Sequence, residues 1–133
     1  MATLRQLSLA KLDMDWHMAD PNSIKDLKEF ESRSNKPYSL LPEESVGIKS
    51  CTFGHIFSGG YSSGYYSYKW AEVLDADAFA YFKEKGIFNP EIGKSFKVNI
   101  LEKGGSEDPM ELYKKFRGHE PTPESLMERC GFR

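Results

Sequence analysis

The stretch from Phe53 to Phe82 reads FGHIFSGGYSSGYYSYKWAEVLDADAFAYF, and its two halves ask for different structures. The first half carries four glycines, Gly54, Gly59, Gly60 and Gly64. Glycine admits left-handed backbone and close approach, at an entropic cost that disfavours regular elements. The second half, from about Tyr65, runs on without glycine or proline. Trp70, Val73, Leu74, Ala78, Tyr81 and Phe82 recur at helical spacing, which predicts an amphipathic helix. Lys85-Gly86 is a natural stop. A glycine-hinged aromatic loop over 53–68 therefore feeds a long helix.

The flanking sequence also favours helices. Residues 4–18, LRQLSLAKLDMDWHM, have an ambiguous period, since Leu7 and Leu9 alternate while Leu4, Leu7, Met14 and Met18 fit one helical face. The length and the absence of a breaker predict a helix. No capping residue stands ahead of it, as where a longer element is cut. Asp20, Pro21, Asn22 and Ser23 form a turn with Ser23 as N-cap, and Ile24, Leu27 and Phe30 form the stripe of a short helix. Tyr38 to Gly54, with Pro42 and Gly47, reads mostly as loop. Asn89-Pro90-Glu91 opens a helix running to about Glu102, although the alternation of Phe96, Val98 and Ile100 also fits a short strand. Ser106-Glu107-Asp108-Pro109 opens another, with Met110, Tyr113 and Phe116 inward and Gly118 ending it. Thr122-Pro123-Glu124 starts the last, with Leu126, Met127 and Cys130 inward and Gly131 as terminator. The expected fold class is all-α, mainly helical, with one short strand as the alternative.

Composition narrows the function classes. The 133 residues suit one domain or part of one, and 39% hydrophobic with 29% charged residues is globular. A formal net charge of -2 gives no support to nucleic-acid or anionic-membrane binding. Lys94, Lys97, Lys103, Lys114 and Lys115 read as scattered solvated charges. No run approaches the roughly 20 apolar residues of a membrane span. The N-terminus shows no signal-peptide pattern, and Cys51 and Cys130 are spaced like two reduced thiols. A cytoplasmic chain is expected.

The candidate site residues each carry two readings. His55 is either a donor to a carbonyl or developing oxyanion, or a histidine that holds the loop together. Tyr61, Tyr65, Tyr66 and Tyr68 are either hydroxyl donors lining a groove or packing residues with one polar partner each. Beside four glycines, the cluster has the mixture a substrate-delivering loop needs. Gly59-Gly60 and Gly64 match neither GxxxxGK[ST] nor GxGxxG, and Ser62 and Ser63 lack the G-x-S-x-G frame. His17 near Asp13 reads as a packed, hydrogen-bonded histidine, and His119 as a surface residue. The three histidines and nearby acids make no zinc set. Glu72 or Asp77 can fix a tyrosine or arginine. Arg117 can receive a peptide carboxylate or cap helix-end carbonyls.

The run FGHIFSGGYSSGYYSYKWAEVLDADAF resembles the thimet oligopeptidase and peptidyl-dipeptidase Dcp family. So does GGSEDPMELYKKFRGHEPTPESLMERCG, and LRQLSLAKLDMDWH is similar to a preceding family helix. The resemblance is collinear over almost the whole chain. It implies part of a helical ellipsoid split by a channel, in which zinc is held by an HExxH helix and a downstream glutamate, and metal-activated water cleaves short peptides. HExxH is absent from this sequence, and in the family it precedes the matched region. The resemblance thus implies that residues 1–133 are the C-terminal portion of a catalytic domain, without metal ligands and incomplete for hydrolysis alone; zinc belongs to the complete enzyme.

On the substrate side, the resemblance implies that Tyr68 donates to the tetrahedral intermediate in the complete enzyme. His55, Gly59, Gly60, Tyr61, Tyr65 and Tyr66 would form the peptide-facing loop, and Ser58 lengthens that loop by one residue relative to some members. The expected partners are short peptides, an HExxH-bearing segment or chain, and a second copy through exposed apolar surface. A stand-alone peptide-binding or regulatory protein and one half of a split peptidase are the alternatives.

Overall fold

A computed structural model describes residues 2–40 and 47–132. The fold is all-α, and no strand occurs among the described residues. The chain divides into two compact units, Met1–Lys69 and Trp70–Arg133.

In the first unit, α1 (Ala2–Met18) packs against α2 (Leu27–Asn35). The buried positions of α1 are Ala10, Leu12 and Asp13, and Leu9 and Trp16 pack beside them. The inward stripe is thus Leu9, Leu12, Asp13 and Trp16. Of the residues expected there, Leu7 and Met18 are exposed, Met18 at 77%. A second correction concerns α2. Asp20 caps a separate short turn, Pro21–Ser23, and the true N-cap is Asp26, whose Oδ1 accepts from the Lys28 and Glu29 N–H groups. Phe30 is buried and Ile24 packs on the core, but Leu27 is exposed. The core is Leu12, Phe30, Phe53 and Ile56. Full burial of such a side chain is worth about 1.5–3 kcal/mol. The loop expected over 38–54 contains short turns at Lys36–Tyr38 and Ser50–Thr52, and its residues 41–46 lie outside the described residues. One helical turn, α3 (Gly54–Phe57), follows.

α4 (Ser67–Lys85) is the long helix expected from the glycine-free run, and Gly86 ends it at φ 102°. The division between the units falls within it. In the second unit, Asn89 caps α5 (Pro90–Phe96), which widens into a π-helical turn, Lys97–Leu101. The short-strand alternative for Phe96–Ile100 is therefore wrong. α6 (Pro109–Arg117) is capped by Asp108 and closed by Gly118 at φ 92°. α7 (Glu124–Arg129) is the last helix, and Gly131 follows at φ 81°. Ala76, Leu112, Tyr113 and Phe116 are buried. The Phe116 ring lies 5.4 Å from Tyr81, 5.2 Å from Phe96 and 6.0 Å from Phe82. Of the three residues expected inward, Leu126 is half-buried, whereas Met127 and Cys130, the residue just past α7, are exposed.

Candidate functional site: a tyrosine loop gripped by a buried carboxylate

The loop starts from two core residues, Phe53 (8% exposed) and Ile56 (0%). The Ser58 and Gly59 N–H groups both donate to the Gly54 carbonyl, at 2.8 and 2.9 Å, and Tyr61 N–H donates to that of His55. The paired glycines have separate reasons to be glycine. A Cβ on Gly59 would sit 2.9 Å from His55 Cα, and Gly60 has φ 79°. One needs the space and the other the left-handed backbone.

The second half of the loop is a succession of turns. Gly64 N–H donates to the Tyr61 carbonyl, Ser67 N–H to that of Gly64, and Tyr68 N–H to that of Tyr65. Ser63 sits at φ 54°, a left-handed conformation that L-residues other than glycine rarely adopt. Asp13 of α1, fully buried, holds this backbone. Its Oδ1 accepts from Ser63 N–H at 3.0 Å and its Oδ2 from Tyr65 N–H at 2.9 Å. His17 Nδ1 lies 2.9 Å from Oδ1 and 2.8 Å from the Asp13 carbonyl oxygen. Both neighbours are acceptors, so that nitrogen carries the proton. Ser62 Oγ donates to the Ile56 carbonyl, tying the two halves of the loop together.

This backbone brings four rings together. Tyr61 and Tyr68 stack, with centroids 5.2 Å apart and planes at 22°. Tyr65 lies 5.0 Å from Tyr68, and His55 lies 6.0 Å from both Tyr61 and Tyr65. Tyr65 also packs edge-on against Phe53, which joins the cluster to the core. A hydrogen bond with Tyr61 holds the Tyr68 phenol above its ordinary value. Tyr68 therefore keeps its O–H well past neutral pH, and at 40% exposure it can reach an outside acceptor. His55 is exposed on the same loop. Tyr66 is separate from the cluster: it is 55% exposed and joins none of these ring contacts.

Other residues resolve differently. Among the described residues no group of three or more His, Cys, Asp or Glu side chains could hold a metal. His119 is exposed, with Nδ1 2.6 Å from the Glu120 carbonyl oxygen. Asp77 fixes both a tyrosine and an arginine. It accepts from Tyr113 Oη at 2.7 Å and from Arg117 Nε at 3.3 Å. Arg117 also pairs with Glu84 and lies over the Tyr81 ring. Its guanidinium is thus engaged by acids of its own chain rather than by helix-end carbonyls. Burial, then the Asp77 carboxylate, drives the Tyr113 phenol far above its ordinary value. Lys97 pairs with Glu102, Lys103 and Lys115 with Glu107, and Lys114 with Glu111 and Glu120. No helix among the described residues is long and apolar enough to cross a membrane. A groove of about 290 Å³ lined by Leu4, Leu9, Tyr38, Leu40 and Ile48 contains none of Tyr61, Tyr65, Tyr66 and Tyr68.

Sequence reasoning placed Asp13 only as a neighbour of His17, and it missed Glu31. Glu31 is buried; its Oε1 accepts from Lys49 N–H, and its Oε2 from Ser50 N–H and Ser50 Oγ. Ser50 Oγ in turn receives the Trp16 indole N–H. The only sequence signal for either acid is a charge on an apolar helix face.

The model of Peptidase family M3 matches residues 1–132. The chain is 61% identical over 132 residues to "Oligopeptidase A" of Haemophilus influenzae and 46% identical over 131 residues to that of Escherichia coli, covering 98% of this chain in each case. It is 38% identical over 127 residues to "Dipeptidyl carboxypeptidase" of Escherichia coli, covering 94% of this chain. It spans 19% of the length of each of these relatives. With a match over nearly its whole length, the chain belongs to Peptidase family M3.

Proposed function

We propose that residues 1–133 form the substrate side, and the C-terminal portion, of a zinc-dependent oligopeptidase or peptidyl-dipeptidase that cleaves short peptides. The observation that carries this is the ring cluster of His55, Tyr61, Tyr65 and Tyr68 on a glycine-hinged loop, with the Tyr68 hydroxyl kept protonated beside Tyr61. A phenol O–H aimed into a substrate channel donates to a peptide carbonyl, and donates more strongly as that oxygen gains charge. Tyr68 has this role. Tyr61, Tyr65 and His55 line the peptide, while Gly59 and Gly60 shape the backbone and leave room for it. Tyr66 contacts the peptide from the rim of the loop.

The described residues offer no ligand set for zinc, so no step is assigned to a metal on them. An HExxH segment elsewhere in the complete enzyme supplies zinc, and the isolated chain is catalytically incomplete. The cytoplasm suits its two free, exposed cysteines. Exposed Phe88, Leu101 and Phe132 make self-association of the isolated chain a secondary expectation.

The test is Tyr68→Phe in a full-length enzyme carrying this segment. Loss of a donor that acts in the transition state lowers kcat about 100- to 1,000-fold and leaves KM nearly unchanged. Unchanged kcat would remove the role assigned to Tyr68.

A further inference from the structure

Asp13 is a fully buried acid on the inward stripe of α1, beside Leu9, Leu12 and Trp16. Burial of a carboxylate is costly unless it is fully hydrogen-bonded. Here the compensation comes from the N–H groups of Ser63 and Tyr65, 50 and 52 residues away, and from His17 Nδ1 one turn along α1. The same carboxylate holds Ser63 at φ 54°, a conformation that persists only where surrounding contacts impose it.

We propose that Asp13 is a positioning residue for the tyrosine hydroxyls: by gripping the backbone at Ser63 and Tyr65 it fixes where Tyr65 and Tyr68 present their O–H groups. This rests on the reading of those tyrosines as peptide-facing donors. The route is short. Tyr65 is itself a donor to the carboxylate. Tyr68 donates its N–H to the Tyr65 carbonyl, and the two rings lie 5.0 Å apart. Any shift of the backbone at Tyr65 therefore moves both phenols. Glu31 supplies an internal comparison, because it grips backbone in the same way at Lys49 and Ser50, a stretch that carries none of the tyrosines.

The test sets Asp13→Asn beside Glu31→Gln in a full-length enzyme carrying this segment. Asparagine keeps one acceptor oxygen but turns an amide donor toward a backbone N–H. A displacement of about 1 Å in a positioned group can cost about 100-fold. Asp13→Asn should lower kcat by that order with little change in KM. Glu31→Gln should lower the unfolding temperature comparably and leave kcat near that of the wild type. Asp13→Asn should cost less kcat in the Tyr68→Phe background than in the wild type, since part of its effect runs through the Tyr68 hydroxyl. Unchanged kcat in Asp13→Asn, or equal losses of kcat in the Asp13 and Glu31 variants, would overturn the proposal. If Tyr68→Phe alone leaves kcat intact, the tyrosine reading falls and the positioning role falls with it. If Tyr68→Phe is slow and Asp13→Asn is not, only the positioning role falls. Should Asp13→Asn not fold, an ester in place of the Tyr65 backbone amide removes one donor without touching α1. It should lower kcat about tenfold or more, on the same positioning argument, and unchanged turnover in that variant would refute the proposal.

Discussion

The two units each bury acid side chains but use them on different partners. In Met1–Lys69, Asp13 and Glu31 accept mainly from the backbone of loops distant in sequence. In Trp70–Arg133, Asp77 accepts from side chains on other helices, Tyr113 and Arg117 of α6 and Ser125 of α7. The first arrangement fixes the course of irregular chain, and the second fixes helices against one another. Helices already satisfy their own backbone, so a buried acid between them meets side chains. A loop built of turns pairs most of its amides locally, and a buried acid beside it meets N–H groups that the turns do not use, here those of Ser63 and Tyr65. The lesson is that one buried carboxylate can tie a loop of successive turns to a helix far away in sequence.

The largest expected effect tests the second arrangement. Asp77→Ala removes the 2.7 Å partner of the Tyr113 hydroxyl and leaves the largely buried Arg117 guanidinium with Glu84 as its acid partner. Removing one partner of such a pair typically costs about 3–5 kcal/mol, to be read as a lower urea midpoint for this chain. If Asp77→Ala in the full-length enzyme also cut kcat as deeply as Asp13→Asn, the contrast between the two units would be wrong. A smaller effect is expected from Gly59→Ala. Its new methyl meets His55 backbone, which cannot swing away as a flexible side chain does. Overpacking of this kind costs about 1–3 kcal/mol, and it should appear as lost stability together with reduced turnover. Gly47→Ala, where a Cβ meets nothing within 4 Å, is the control. The smallest effect concerns pH. Tyr68 has its phenol raised by the hydrogen bond with Tyr61, so its O–H is fully present below the ordinary phenol value of about 10 and is lost as pH rises through the raised value. Tyr61→Phe should move the alkaline fall of kcat to lower pH. A fall that stays in place would show that this pair does not govern it.

Much of the helical frame was legible because its signals are local. The glycine-free run became α4, and Asp108-Pro109 and Gly118 bracket α6 as composition suggests. The errors came where two local signals compete. Ser23 looked like a cap, but Asp20 had already closed a turn around it, leaving Asp26 to start α2. Alternation at Phe96, Val98 and Ile100 imitated a strand, whereas Phe96 ends α5 and a wide π-helical turn carries Val98 and Ile100. Met127 of α7 and Cys130 just past it keep helical spacing but are exposed. The tyrosine cluster was legible as composition but not as geometry. Nothing in the sequence separates Tyr66, outside the ring stack, from Tyr65, within it. The grip of Asp13 was invisible for a physical reason. Its partners are backbone amides, which every residue except proline carries, so neither Ser63 nor Tyr65 advertises the contact. Ser63 itself conceals its left-handed conformation, since serine is not the residue that position favours.

The most direct test of the central claim is peptide hydrolysis by this chain alone and after addition of a zinc-loaded, HExxH-bearing segment of a family M3 enzyme. If these residues are a substrate side that lacks its metal, the lone chain should be inactive, and activity should appear on mixing and fall with Tyr68→Phe. Robust hydrolysis by the lone chain, with stoichiometric zinc bound to it, would contradict that claim.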